Sequence, residues 1–383
     1  MPATKRKLII VSNRLPISIK RVNGSFQSSV SSGGLVTALS GLTKTTSFRW
    51  FGWPGIEASD PEDQKKIQES LMEHNAVPIF LDKSCGIGFS LHTPFPVWDF
   101  WRGLPVGDDL VKGILASDLI GFHTEEYRDN FAGCTRSLGA NIQAPNQIHY
   151  KDRQIIADTF IVGIDPKRFT DMLQNKDVQK RISELEENYK GVTLILGVDR
   201  MDYIKGLPEK LKGYDYFLDQ HPELRNKVVL IQIAVPSRED VKEYQELEHE
   251  VSMIAGRING KHATPDGTPL IYMHRSISFP ELTALYCVAD VCLLTSTRDG
   301  MNLVSFEYIA CQAERHGVLA LSEFAGAASF MKQGSITFHP VNITQIAEAI
   351  EKAINMSKED RKRRYEGLRE FIVTYTRYSI INH

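Results

Sequence analysis

This sequence has no excess of either positive or negative charge. Across 383 residues, 45 lysines and arginines face 47 aspartates and glutamates, so no basic field points to nucleic acid or to an anionic membrane surface. Any anion the chain binds must be held by local charge. Long hydrophobic runs are missing too. The opening MPATKRKLIIVSNRLP sets basic residues before a short apolar run, but Ser12, Asn13 and Arg14 end that run too early for a signal peptide or a membrane span. A cytoplasmic protein is the expectation. Cysteine is sparse: Cys85, Cys134, Cys287, Cys292 and Cys311 form an odd set with no CxxC spacing, which removes the usual zinc pair. These thiols read as small apolar side chains in reducing surroundings. No internal repeat and no low-complexity tract is present.

What is present is alternation. From Thr193 onward, TLILGV, LPEKLKGYDYFLDQ, KVVLIQIAVP, DVKEYQELEHEVSMIAG, LIYMH, FPELTALYCVA, DVCLLTS, NLVSFEYIACQA and GVLALS take turns as strand and helix patterns. That order predicts a parallel sheet with helices on both faces. Asn342 stands where it can cap a further helix, whose stripe Ile343, Ile346, Ala347, Ile350 and Ile354 would cover the sheet. The first half starts alike with KLIIVSN. It continues through a hairpin signalled by Asn23-Gly24 in ISIKRVNGSFQSSV, and GGLVTALSGL reads as a helix. LIGFHT, a helix from Glu125 to about Leu138 and a second hairpin around IHYKDRQIIADTF follow. The charged helical stretch Asp165 to Gly191 separates the two sheet patterns. A chain this long is expected to hold two domains. The expected architecture is α/β: two doubly wound, Rossmann-like domains facing a cleft, at residues 1–165 and 166–383.

Ligands of open parallel sheets sit beyond the carboxyl ends of the strands. The richest such loop is TSTRDGMNLVSFEY. Strand 291–296 ends there, Arg298, Asp299, Gly300, Met301 and Asn302 turn the chain, and a helix opens near Leu303. Its free N–H groups and positive dipole end offer an anion site, and Gly300 lets the backbone come close. Glu307 lies about one turn further on, within reach of vicinal ribose hydroxyls. Taken alone, Asp-Gly is also an ordinary turn and Asn302 an ordinary cap. After strand 193–198, DRMDYIKGLPEK brings Arg200 and Lys205, two cations able to neutralise a diphosphate. Solvation with Asp202 as ion-pair partner is their plainer reading. After strand 227–235, PSRED brings Arg238, for which Glu239 or Asp240 is the plainer partner. Three edges of one sheet carrying cations or an open helix end make a nucleotide diphosphate the economical ligand. In the first half, VSNRLP puts Arg14 directly after a strand, SSGGLVTAL puts Gly33 and Gly34 at a helix start, and LHTPFP puts His92 before a rigid proline turn. RWFGWPG adds Trp50 and Trp53. Here too, the glycines also read as a flexible turn, His92 as a satisfied strand-end histidine and the tryptophans as core.

Taken in order, SNRLP, GGL, WFGW, LHTPFP, GVDRMDYIKG, VPSRED, AGRINGK and STRDGMNLVSFEYIACQ resemble the trehalose-6-phosphate synthase family, retaining glucosyltransferases of the GT-B fold. The resemblance implies transfer of glucose from UDP-glucose to glucose 6-phosphate, giving trehalose 6-phosphate and UDP, with no metal or other cofactor. It implies that Arg200 and Lys205 hold the UDP diphosphate, helped by the backbone at Gly33 and Gly34, and that Glu307 holds the ribose. Asp299 with the backbone of Gly300, Met301 and Asn302 would hold the donor glucose hydroxyls, and Leu303 and Val304 would add backbone contacts near the phosphates. His92 would approach the donor sugar, Arg14 and Arg238 would bind the acceptor phosphate, and Trp53 would lie near the acceptor. His92, Arg200, Lys205 and Asp299 are thereby the catalytic set. In the family the acceptor attacks from the front face and the leaving phosphate takes its proton, so no protein nucleophile is required. No Asp-x-Asp triplet occurs in the chain, and Arg200 with Lys205 would replace the divalent metal such a triplet holds. The partners implied are UDP-glucose and glucose 6-phosphate, with a homo-oligomer or a trehalose synthase complex as the assembly.

One stretch departs from the family. VPIFLDKSCGIGFSLHTPFP carries strand patterns at Val77–Leu81 and Ile87–Leu91 with only five residues between them, whereas a parallel crossover needs about a dozen residues. In the family a long segment separates the counterparts of PIFLD and GFSLHTPFP. It holds acceptor-site Tyr and Trp, helices, a strand and an HDYH motif whose Asp sits at the reaction centre. KSCGI stands in its place, so about two crossover units, roughly sixty residues or more, are absent. YTRYSIINH likewise replaces the family's long returning carboxyl-terminal helix. The expectations are a first domain weakened at its sheet and a second that is complete. The chain then reads as a trehalose-6-phosphate synthase or, alternatively, as a catalytically impaired shortened relative or non-catalytic subunit that binds UDP-glucose.

Overall fold

The computed structural model describes residues 8–15, 17–22, 25–30, 48–53, 61–77 and 87–375, with the backbone path alone at 8–14, 18, 20–22, 25, 27, 29–30, 48, 53 and 61. The helix expected at GGLVTALSGL, with Gly33 and Gly34, lies outside the described residues, as do the Asn23-Gly24 turn and Cys85. The chain divides into two units between Val162 and Gly163. No described helix is long and apolar enough to cross a membrane.

Unit one contains β1 (Leu8–Arg14), β2 (Ile17–Val22), β3 (Ser25–Val30), β4 (Phe48–Trp53), β5 (Ala76–Val77), β6 (Gly88–Ser90), β7 (Leu119–Phe122), β8 (Asn141–Ala144), β9 (Gln147–Tyr150) and β10 (Arg153–Thr159). β2 and β3 form the expected hairpin, and Leu15, Ile17 and Ile19 bury their alternate side chains with Trp50, Ile67 and Leu71. Trp50 is thus core. The other eight strands form one sheet in the order β5-β4-β1-β6-β7-β10-β9-β8, parallel from β5 to β10 and antiparallel through β9 and β8.

This order shows what the short stretch after Val77 connects. β5 and β6 are no hairpin: both run parallel to β1, and two strands stand between them. The ten residues 78–87 join them, where such a crossover ordinarily carries a helix. The seam next to β1 is correspondingly thin, since β1 and β6 share a single register pair, Val11 with Phe89, against six pairs between β1 and β4.

The faces of this sheet are unequal. Ile120, Phe122, Ile155 and Ala157 point one way, into a core completed by Phe95, Trp101, Val111, Leu115 and Phe131. Their neighbours on the other face, the register partners Leu119 and Ile156, remain 37% and 44% exposed. Further exposed apolar side chains, Val97, Phe100, Leu104, Val106 and Leu110, cluster in the stretch that follows β6. Unit one thus leaves apolar side chains bare on β7, β10 and the stretch after β6, a burden for folding and solubility.

Unit two contains β11 (Thr193–Arg200), β12 (Val228–Val235), β13 (Leu270–Met273), β14 (Val291–Leu294), β15 (Val318–Ser322) and β16 (Ile336–Phe338), all parallel, in the order β13-β12-β11-β14-β15-β16. Its strands are near-continuous Val, Ile and Leu runs buried on both faces, as covering helices demand. β11 runs two residues past the expected strand end, so Arg200 is its last residue, and β14 stops two residues earlier than expected, at Leu294. Asn342 caps its helix by accepting from Gln345 N–H, and Ile346, Ala347 and Ile350 bury the stripe. The stretch between the sheets is two helices, Pro166–Leu173 and Lys176–Asn188. The second restarts because the Asn175 side chain accepts from the N–H groups of Asp177 and Val178.

Candidate functional site

Numbered from its own first strand, unit two has the order 3-2-1-4-5-6, which reverses direction between β11 and β14. At such a switch point the loops leaving the two strands part and open a crevice at their carboxyl ends. Those loops carry Arg200 and Lys205 on one side and Asp299 to Asn302 on the other. They are also stitched together. Thr295 Oγ1 donates to the Gly206 carbonyl at 3.0 Å, and Thr297 N–H donates to the Ile204 carbonyl at 2.8 Å. Gly206 has φ +61, and a Cβ there would stand 2.2 Å from the Thr295 carbonyl oxygen. Only glycine lets the two loops meet this closely.

Across that contact, Lys205 Nζ lies 2.6 Å from Asp299 Oδ2, with both side chains nearly buried. Burial would raise the Asp299 carboxyl, but the Lys205 ammonium and hydrogen bonds from Ser296 and Asn302 outweigh it and hold the group below its ordinary value. Asp299 therefore stays a carboxylate. Asn302 is not the ordinary cap that sequence alone allows. It adopts φ 60, makes no side-chain cap, and turns its amide inward to donate to Asp299 Oδ2 at 2.9 Å and Ser296 Oγ at 3.3 Å. Its Oδ1 is buried with no partner among the described residues. A left-handed asparagine holding a buried, unmatched acceptor at an open helix end is the kind of strain and polarity that a bound hydroxyl or amide relieves. Gly300, Met301 and Leu303 are buried and Val304 half-buried in the same turn.

Glu307 lies one turn into the helix Leu303–Ala310, half-buried, and accepts from the Tyr286 hydroxyl at 2.9 Å. Burial pushes its carboxyl up to about 7, against opposing pulls from the Tyr286 hydroxyl and the Arg168 charge. The folded state therefore prefers the neutral carboxyl. That contribution is fully present below the ordinary carboxyl pKa and is lost as pH rises through about 7. Between about pH 5 and about pH 8 the melting temperature should fall further in the wild type than in Glu307→Gln, whose side chain cannot ionise. Parallel curves for the two proteins would rule the assignment out.

Arg200 is half exposed, with Nη2 3.6 Å from Asp202 Oδ2, a loose surface pair. Arg238 adopts φ 50 and is held by neither Glu239 nor Asp240. Its Nη1 donates to Tyr244 Oη at 2.6 Å, and the Tyr244 hydroxyl points on to Asp202 Oδ1 at 3.4 Å. Tyr244 and Asp202 therefore link the two arginines. In unit one, His92 lies two residues past β6, and its Nδ1 is 2.5 Å from Nε2 of the buried His123. Arg14 and Trp53 are register partners at the carboxyl ends of β1 and β4, so the backbone brings them to one edge.

Sequence reasoning missed Ser296, Tyr286, Tyr244 and His123. His123 stands just after an apolar run and Ser296 just beyond β14, where the strand-end rule that selected His92 could have found them. Tyr244 and Tyr286 lie inside helices and carry no such signal. Asp215, Asp219 and His262 also offer ligand atoms within 4.8 Å of one another. Lys261 Nζ already lies 2.5 Å from Asp219 and 3.2 Å from Asp215, and Arg257 lies 3.6 Å from Asp215. With its carboxylates answered by cations, this cluster is an ion-pair clasp between two helices.

The sequence pattern of Glycosyltransferase family 20 matches residues 6–86 and 82–383. The alpha,alpha-trehalose-phosphate synthase (UDP-forming) 2 of Aspergillus niger is 41% identical over 452 aligned positions, covering 97% of this chain and 94% of that protein. Since this chain has 383 residues, at least 69 of those 452 positions have no counterpart in it. The family match breaks at residues 82–86, where the strand patterns crowd together. Among solved structures, the Burkholderia xenovorans alpha,alpha-trehalose-phosphate synthase (UDP-forming) in complex with glucose-6-phosphate has TM-score 0.83 at 25% identity, over 98% of each chain. The N-terminal domain of Candida albicans trehalose-6-phosphate phosphatase has TM-score 0.85 at 25% identity, over 99% of this chain and 96% of that one. With a match that runs from residue 6 to the last residue and is interrupted only where a segment is missing, the chain belongs to glycosyltransferase family 20.

Proposed function

We propose that this chain is a glucosyltransferase making trehalose 6-phosphate and UDP from UDP-glucose and glucose 6-phosphate, with retention, without metal and in the cytoplasm. The observation that carries the donor half is the group Lys205, Asp299 and Asn302 at the switch point of unit two, with its buried unmatched acceptor and open helix end. In this reading Arg200 and Lys205 neutralise the departing diphosphate, and Glu307 takes the ribose. Asp299 and the turn Gly300 to Asn302 hold the sugar hydroxyls, and the backbone at Leu303 and Val304 adds contacts near the phosphates. His92 meets the donor sugar, while Arg14, Arg238 and Trp53 take the acceptor and its phosphate. Leaving-group charge is stabilised by fixed cations, and the acceptor hydroxyl is held against the anomeric carbon, so no nucleophilic side chain is needed.

The missing positions favour a second reading, in which donor binding survives and transfer is impaired. At least 69 aligned positions of the Aspergillus relative are absent, and the β1–β6 seam rests on one register pair. The phosphatase N-terminal domain among the neighbours also carries this fold under the name of another activity. UDP release from UDP-glucose by the folded chain, with and without glucose 6-phosphate, separates the two readings. Release that depends on glucose 6-phosphate establishes the synthase. UDP binding without release establishes the impaired relative. In either case Arg200→Ala should weaken UDP binding by about tenfold or more, as loss of one charge-assisted phosphate contact does. Unchanged affinity would remove Arg200 from the site.

A further inference from the structure

We propose that Tyr286 is a positioning residue of the nucleotide site: its hydrogen bond holds the Glu307 carboxyl so that the ribose diol is bound by the carboxylate form, and nucleotide binding releases a proton to solvent. The inference rests on the reading above in which Glu307 takes the ribose. Every protein group involved belongs to unit two. Tyr286 lies in the helix Phe279–Val288 and is wholly buried. Its hydroxyl donates to Glu307 Oε2 at 2.9 Å, and no other hydrogen bond of this hydroxyl or of the Glu307 carboxyl occurs among the described residues. Burial holds the Tyr286 phenol well above its ordinary value, so the hydroxyl keeps its proton and remains a donor. Turning that proton away would strand a buried donor, so Oε2 stays an acceptor in both states of the carboxyl. When Glu307 is neutral, its own proton therefore sits on Oε1. Losing it turns Oε1 into an acceptor of charge-assisted bonds, which vicinal hydroxyls can donate and which are about twice as strong as neutral ones.

The surroundings fix the pair. The Tyr286 carbonyl accepts from Nε2 of the buried Gln312, whose Oε1 in turn accepts from Gly317 N–H at 2.8 Å. The Tyr286 ring lies edge-on to Tyr308, with centroids 6.5 Å apart. Burial raises the Glu307 carboxyl, and the Tyr286 bond is the larger of the two opposing pulls, ahead of the Arg168 charge from the helix Pro166–Leu173. Cys292 on β14 and Cys311, just past the helix Leu303–Ala310, are the other titratable neighbours. Burial pushes both thiols up and keeps them neutral. Among these groups Glu307 alone changes charge near neutral pH. Since the diol takes the carboxylate, protons compete with it, and affinity rises as pH passes upward through about 7.

Calorimetric titration of the full chain with UDP and with its 2′,3′-dideoxy analogue, from about pH 5 to about pH 8, reads this coupling. The diphosphate also titrates in this range, but equally in both ligands, so the ratio of the two affinities isolates the diol. In the wild type that ratio should rise about three- to tenfold with pH. Near pH 7 UDP should also release more protons than the analogue, as measured in buffers of different ionisation enthalpy. Tyr286→Phe keeps the ring and removes the bond that favours the carboxylate, so the rise should move up by about one pH unit. Glu307→Gln should abolish the rise. A flat ratio in the wild type, with no excess proton release, would overturn the proposal. So would a Tyr286→Phe protein that loses affinity for both ligands alike while the midpoint stays in place, the mark of a merely structural residue. Glu307→Ala separates the two levels of the argument. An unchanged ratio in that variant removes Glu307 from the ribose altogether, whereas a lowered ratio beside a pH-independent wild type keeps the ribose contact and refutes only the coupling.

Discussion

Replacing Lys210 by methionine should lower the free energy of unfolding by about 3–5 kcal/mol. Lys210 lies in the helix Leu207–Gln220 with a wholly buried side chain, paired with Asp199 on β11, itself 1% exposed. Gln232 Nε2 adds a hydrogen bond to Asp199 Oδ2 at 3.1 Å. Room for the group is made at Gly197, where a Cβ would stand 2.1 Å from Gln232 Oε1 and 2.8 Å from Lys210 Nζ. Methionine fills the space of the lysine stem but leaves the carboxylate buried with one neutral donor, and an uncompensated buried charge is the costly half of such a pair. Removing both charges, as Lys210→Met with Asp199→Leu, should recover most of the loss, because apolar packing replaces buried ion pairs at little net cost. Urea unfolding of the three proteins decides the matter. A single variant within about 1 kcal/mol of wild type would show that the pair is not holding charge in the core.

Lys205→Met should weaken UDP-glucose binding by about 30- to 1000-fold, the range for truncating one partner of a buried, hydrogen-bonded charge. It should also destabilise unit two, since Asp299 loses the ammonium that keeps it ionised. A carboxylate held low stabilises the fold above its unfolded pKa, and that support is lost as pH falls through the folded value. In the variant the support is gone at neutral pH as well. The two effects can be separated. Lys205→Met with Asp299→Asn should regain stability, since no buried charge is stranded, while affinity stays low, since the diphosphate still lacks its cation. Recovery of binding in the double variant would show that Lys205 serves only as the partner of Asp299. Isothermal titration with UDP-glucose and thermal unfolding supply the two readings.

Much of unit two was legible because its code is local. Each strand is a short apolar run, many of the helices open on a capping side chain or a proline, and ligand-facing residues follow strand ends by the geometry of parallel sheets. Arg200, Lys205, Asp299 and Glu307 could be selected on that ground alone. Their partners could not. Lys205 and Asp299 lie 94 positions apart, Tyr286 and Glu307 21, and His92 and His123 31, and no periodicity links such pairs. Asn302 shows the same limit at short range: as a helix cap it looks ordinary, and only the packing of Ser296 and Asp299 around it turns its side chain inward and leaves its oxygen unmatched.

The alternation of elements, the family and the place of the lost segment could all be read from the order of residues. Those features depend on neighbours within one or two turns, or on counting residues between strands. Tertiary structure alone decided which strand lies beside β1, which face of unit one is bare, and which charges meet at the switch point. Such contacts join residues far apart in the chain, and they form only when hydrophobic burial has paid the entropy of closing the loops between them.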